Sequence, residues 1–304
     1  MRSGKSIVLL LTAVALVAAC GDDETTETGA GNTATTTAAT TEATDEPERI
    51  VSLSPTATEM LFAIGAGDQV VAVDDQSDYP EGVPSTDLSG FEPNLEAVAT
   101  YEPDLVVYSG GSVELEDGLE AIGADVLVLP AAVTLEDTYT QIADLGEATG
   151  HVAEATEVVH GIRRDIEELV ARVPEFAEPP TYYHELDDTL FTVTSQTFIG
   201  ELYALAGLEN VADPADPDGA LGGYPQLSPE FLVNADPDFI FLADTECCGQ
   251  NADTVAARPG FAGLTAVRTG QVVELSDDVA SRWGPRVVDF LEAVVDATAV
   301  LPVG

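Results

Sequence analysis

The chain has 304 residues, 45% of them hydrophobic, with 55 acidic against 10 basic side chains and a net charge of −45. That is enough chain and enough apolar surface for two ordinary domains. So acidic a surface repels nucleic acid and anionic headgroups, which excludes both as expected partners.

Residues 1–20 read as an export signal: Arg2 and Lys5 begin it, and an apolar run over 7–19 follows that is short for a membrane span. Val17-Ala18-Ala19-Cys20 resembles a bacterial lipobox, which makes Cys20 a lipidation site; plain secretion with cleavage near Ala19 is the alternative. Residues 21–48 are Thr, Ala, Gly and acid with almost no large apolar side chain, the composition of a tether.

From Arg49 the pattern alternates. Strands are expected over 49–54, 70–73, 105–108 and 126–129, and helices from Pro55, over 95–101, 113–122 and 135–149, with Thr56 or Thr58 as candidate caps of the first. Such alternation predicts a largely parallel sheet covered on both faces. From His151 to Val173 apolar residues recur in steps of three and four, and Pro174 ends the run. This helix is expected to be a strut between an N-terminal lobe, 49–150, and a C-terminal lobe, 174–304. The second lobe repeats the grammar: strands over 181–185, 239–243 and 272–275, a short one over 191–194, and helices over 198–206, 230–235 and 283–300.

The flanks of the strut echo each other. Glu96 precedes Pro103-Asp104 by the same interval as Glu230 precedes Pro237-Asp238, and an apolar run follows each pair. Upstream, Glu59-MLFAIG is matched by Glu201-LYALAG. Two matches in one order predict two similarly built halves. The expected fold class is therefore α/β, two Rossmann-like lobes with largely parallel sheets joined by one long helix.

Ligands of such sheets sit beyond the carboxyl ends of strands. Loop position then nominates 76–79 with Tyr79, 108–112 with Tyr108, the strand end Tyr183-His184-Glu185, Tyr224, Cys247-Cys248 and the segment from Ser276 to Trp283. The aromatics suit a large flat ligand held by contact area and stacking. Arg282, scarce in kind here, suits an anionic group or a nearby carboxylate. Cys247 and Cys248 are open to three readings: a vicinal disulfide, two buried thiols, or a contact to a soft metal or ligand metal, with His184.

RIVSLSPTATEMLFAIG, SDYP, PNLEAVATYEPDLVV, TFIGELYALAGLENV, GGYPQLSPEFLVNADPDFIFL and SRWGPRVVDFLEAV, in this order over nearly all of 49–300, resemble the substrate-binding proteins of ABC importers, nearest the group serving cobalamin, haem and ferric siderophores. The resemblance implies capture of a ferric siderophore, haem or corrinoid between the lobes and delivery to a membrane permease. It implies ligand contact by Asp278, Arg282 and Trp283, and docking of Glu96 and Glu230 into Arg pockets of the permease. Where cobalamin binders carry Trp or Tyr, this chain has Gln76 and Phe91. A lipid-anchored, extracytoplasmic monomer without catalytic residues, cofactor or resident metal is expected. The rival readings are a free zinc or manganese receptor and a non-transport surface lipoprotein. Neither a G-x-S-x-G elbow, a P-loop nor an H-E-x-x-H occurs in the sequence.

Overall fold

The structure, a computed structural model, describes residues 46–300. The expected export signal, Cys20 and nearly all of the expected tether lie outside the described residues.

The first half runs β1 (Ile50–Leu53), α1 (Pro55–Ala63), β2 (Val70–Val73), α2 (Leu95–Ala99), β3 (Leu105–Tyr108), α3 (Val113–Ala121), β4 (Asp125–Val128) and α4 (Leu135–Thr149). The helix α5 (Val152–Val170) follows. The second half runs β5 (Thr181–Glu185), α6 (Phe198–Leu205), β6 (Glu209–Asn210), α7 (Pro229–Ala235) and β7 (Phe239–Leu242). Four short pieces, α8 (Thr245–Cys248), α9 (Ala252–Ala257), α10 (Thr265–Thr269) and α11 (Asp277–Ser281), surround β8 (Val272–Glu274), and α12 (Val287–Thr298) closes the chain. The strands form two separate four-stranded sheets, β2-β1-β3-β4 and β6-β5-β7-β8, parallel throughout. The two orders are the same order, so the echoed sequences fold into the same topology.

Each central strand is buried on both faces, and its alternation sorts side chains between two cores. From β3, Leu105 and Val107 enter one cluster and Val106 and Tyr108 another. From β7, Phe239 and Phe241 join that first cluster, while Ile240 and Leu242 enter a core private to the second half. The first cluster is thus common to both halves, and it holds Met60 and Leu61 of α1, Ile142 of α4, Ile162 and Ile166 of α5, and Phe290 and Leu291 of α12.

The helix α5 packs on α4 and on α12, one from each half. Its buried stripe is Ala155, Ile162, Ile166 and Leu169, and at 1.5 Å per residue it is about 28 Å long. No side chain caps its start at His151, so packing holds it rather than capping. The α4 crossing needs Gly146, where an added Cβ would lie 2.5 Å from the Cβ of Ala155.

Several local expectations are corrected. Ser54, not Thr56 or Thr58, caps α1, accepting from the Ala57 amide, because Pro55 already occupies the first turn. Residues 191–194 make no strand; Phe191 forms only an isolated bridge with Gln226. The last helix starts at Val287, after Gly284-Pro285 has turned the chain. The strand β6 and the short helices α8 to α11 had no periodicity to reveal them.

Candidate functional site

The carboxyl ends of β1, β2 and β3 face the α11 segment of the second half across a cavity of about 550 Å³. Its first wall is Leu53 to Thr56, Asp74, Gln76, Gly90, Phe91, Ser109 and Gly110; its second is Asp278, Ser281, Arg282 and Trp283. A smaller pocket of about 70 Å³ shares Ser281, Arg282 and Trp283 and adds Tyr224, Phe198 and Leu202.

Arg282 stands at the seam of the two halves. Its guanidinium donates to Glu59 at 2.9 Å, Asp78 at 3.1 Å, the Gln76 carbonyl at 3.1 Å and Asp278 at 2.6 Å. Arg286, a turn later, donates to the same Glu59 at 3.0 and 2.5 Å and lies 4.2 Å over the ring of Tyr79. The Glu59 side chain is only 1% exposed, so one buried carboxylate from α1 holds two cations from the other half. Charge-assisted bonds of this kind are the strong ones. Of the two partners expected for Arg282, the carboxylate is the one it has; four acceptors leave its guanidinium committed. Burial raises the Asp278 carboxyl, and Arg282 pulls it back.

Trp283 is fixed on the cavity wall by the first half: its indole N–H donates to Gln141 at 2.9 Å, and its carbonyl accepts from the Thr138 hydroxyl at 2.9 Å. Asp74 is 2% exposed; its Oδ1 accepts from the Gln76 amide at 2.8 Å and its Oδ2 has no partner. Burial raises its carboxyl above the ordinary range, opposed by the Gln76 amide and by Ser77.

The nominated residues do not all converge. Asp278, Arg282 and Trp283 line the cavity, and Tyr224 lines its neighbour. Tyr79 faces a different groove, beside α5 and Arg286. Tyr108, 1% exposed, turns into the first half's own core, with its hydroxyl on Glu116. Tyr183 is fully buried in the second half's core. His184 is fully buried, shares a 2.8 Å hydrogen bond with the Tyr203 hydroxyl, and is pushed down to about 3 by burial, which keeps it neutral. Glu185 accepts a two-pronged pair from Arg258 at 2.5 and 2.6 Å. These four sit inside because a parallel strand with both faces covered offers neither face to a cleft. Cys247 and Cys248 form a disulfide on exposed α8, their Cα atoms 3.8 Å apart, and Asp277 accepts from the Thr245, Glu246 and Cys247 amides at that helix's start. Sequence reasoning gave Ser54, Thr56, Glu59, Asp74 and Arg286 no place in the site; the Glu59–Glu201 echo signals Glu59 alone.

The echoed Glu96 and Glu230 are both exposed, and each is the second residue of its helix, after Asn94-Leu95 and Ser228-Pro229. Among the described residues no group of three His, Cys, Asp or Glu side chains is placed to hold a metal ion.

Residues 50–279 match the family model for periplasmic binding proteins. The chain belongs to this family. Among relatives of this periplasmic binding protein, an ABC transporter substrate-binding lipoprotein of Bacillus subtilis (strain 168) is 28% identical, over 97% of this chain and 96% of that one. A cobalamin-binding protein of Halobacterium salinarum (strain ATCC 29341 / DSM 671 / R1) is 31% identical, over 90% of this chain and 73% of that one. Among solved structures, the vitamin B12 binding protein of Vibrio cholerae superposes with a TM-score of 0.69 at 26% identity, covering 84% of this chain and 98% of that one. The haem-binding protein of the same organism does so with a TM-score of 0.72 at 25% identity, covering 84% and 99%.

Proposed function

We propose that this periplasmic binding protein is the extracytoplasmic substrate-binding component of an ABC importer, taking up a ferric siderophore, haem or corrinoid between its halves and presenting it to a membrane permease. The observation that carries this reading is the cavity of about 550 Å³ at the strand ends, walled by both halves and carrying Trp283. The organisation that goes with it is an export signal over 1–20, a tether over 21–48, lobes over 49–150 and 174–304, and a linking helix over 151–173. Cys20 is the lipid attachment, a role in keeping with the lipoprotein from Bacillus subtilis. Asp278, Trp283 and Tyr224 contact the ligand.

Glu96 and Glu230 dock on the permease. They hold one position on equivalent helices of two equivalent halves, which suits a partner with two equivalent Arg pockets. A ligand that binds only the folded chain raises its melting temperature, so a thermal screen with haem, cobalamin, cobinamide and ferric siderophores tests the reading. At least one is expected to raise the melting temperature, and no shift with any of them would count against a receptor. The Glu96→Ala, Glu230→Ala double variant is expected to abolish uptake in cells and to leave affinity for that ligand unchanged; normal uptake would remove the docking role.

A further inference from the structure

We propose that Cys247–Cys248 is a thiol-reactive site whose opening loosens one wall of the cavity; the effect on cargo rests on the receptor reading above. Both cysteines are exposed, they lie together in the four-residue helix α8, and the receptor reading makes no use of them. Disulfides persist outside the cytoplasm, so the bonded form is the resting one. Exposed disulfides are the labile ones. The co-reactant is a low-molecular-weight thiol. Its thiolate attacks one Sγ, the Sγ–Sγ bond breaks, and the other Sγ leaves as a thiolate that takes up a proton. A second thiol then resolves the mixed disulfide. In sum, the two thiols become one disulfide, and two electrons and two protons pass to Cys247 and Cys248.

The cavity is coupled to this bond through Asp277. Its carboxylate accepts from the amides of Thr245 at 2.8 Å, Glu246 at 3.0 Å and Cys247 at 2.7 Å, and the Thr245 hydroxyl donates to the Leu275 carbonyl at 2.8 Å. Asp277 is also the first residue of α11, and Asp278, Ser281, Arg282 and Trp283 beyond it form the second wall of the cavity. The helix α11 has no side-chain cap and buries one side chain, Ala280. Apolar contact therefore contributes little to its seat. Polar ties at its two ends hold it: Asp277 to α8, and Arg282 to Glu59 and Asp278. A single helical turn does not hold itself in water, because one backbone bond does not offset the cost of the residues it fixes. In α8 that bond runs from the Gly249 amide to the Thr245 carbonyl at 3.0 Å. The disulfide closes a small ring through the Cys247–Cys248 peptide and removes freedom that the turn would otherwise have. With the ring open, the Cys247 amide is free to leave Asp277, and α11 loses its fastening at that end.

The test compares the full chain as purified with the same chain reduced by dithiothreitol and freed of reagent without air. Iodoacetamide labelling and peptide mass spectrometry are expected to find no thiol at 247 and 248 in the first and both in the second. Hydrogen exchange then reads α11. The amides of Ala280 and Arg282, bonded to the Ser276 and Asp278 carbonyls at 2.9 and 3.1 Å, are expected to exchange about tenfold faster in the reduced chain, with β3 unchanged. Trp283 is the one Trp of the chain and lies on the same wall, so quenching of its emission reads binding. Haem, cobinamide and ferrioxamine B (a ferric trihydroxamate) are the probes, and whichever binds is expected to bind about fivefold more weakly after reduction. The Cys247→Ser, Cys248→Ser variant, which has no thiol there to ligate a probe, is expected to match the reduced chain and to ignore dithiothreitol. Free thiols at both positions before reduction, α11 exchange or probe affinity unchanged by reduction, or an equal response to dithiothreitol in the double variant would each overturn the proposal while the receptor reading stands. Failure of all three probes to bind either form would count against the receptor reading instead, and hydrogen exchange would still decide the role of the disulfide.

Discussion

Asp244 lies just past β7 with both carboxylate oxygens buried and without a hydrogen-bond partner. Burial pushes its carboxyl up to about 7, Glu185 adds to the rise, and Arg258 opposes it. Its ordinary value is 3.8, so between about pH 4 and pH 7 the folded chain holds a proton that the unfolded chain has lost. Stability from this site is full below that window and drains away as pH rises through it. Asp244→Asn should flatten the slope and exceed the native chain in stability at pH 7.5, because Asn has no charge to bury there. Urea melts of both proteins from pH 4 to 8 check this. His184 has the opposite sign: held neutral with a value near 3, it contributes stability that is lost as pH falls below the ordinary His range. Neither residue announced its setting. An Asp after an apolar run reads equally well as a turn, and His184 reads as a strand-end ligand until the layer covering that face is known. Aromatic rings suit a flat ligand, but the same rings fill a core, and Tyr108 and Tyr183 lie there.

At the scale of elements, Glu102-Pro103-Asp104 and Asp236-Pro237-Asp238 are a matching pair of corners. Glu102 and Asp236 take φ values of 48° and 44°, and a Pro follows each. Next, Asp104 accepts from the Glu48 and Arg49 amides, and Asp238 from the Thr181 amide and hydroxyl, so each corner pins the start of its half's first strand. Asp236 offsets its left-handed backbone by accepting from the Thr265 amide at 2.6 Å and hydroxyl at 2.9 Å. Glu102 has no comparable side-chain bond among the described residues. Glu102→Gly should therefore stabilise the protein by about 0.5–1 kcal/mol, whereas Asp236→Gly should destabilise it by about 1 kcal/mol, in chemical denaturation. Elements of this kind were legible because each carries its own period and stop signal: β2, β3, β5 and α4 fall where pattern and punctuation put them. From Thr245 to Ser281 the chain is built of four- to six-residue helices around β8. Those are too short for a hydrophobic period and are placed by tertiary bonds such as Asp277 to the α8 amides.

For the whole molecule, the echo meant more than two similar halves. Glu59 and Glu201 occupy matching places, and each reaches across: Glu59 to Arg282 and Arg286, Glu201 to the Leu135 amide at 2.8 Å. Sequence could show the repeat but not the crossing, because partners 223 and 227 positions away leave no local pattern. Glu59→Ala strands two guanidinium groups, side chains 9% and 16% exposed, without their shared carboxylate. The expected loss is about 3–5 kcal/mol in urea unfolding, while Glu96→Ala, at an exposed helix start, should stay within about 0.5 kcal/mol of the native chain. Arg282 also forms part of the cavity wall, so the fastening of the molecule is a piece of its hold. Unloading and unlatching are then a single event. To spread the walls is to pull two cations off a carboxylate that is 1% exposed, and random jostling seldom completes such a step. Discharge calls for a grip on both sides and a supply of work from outside.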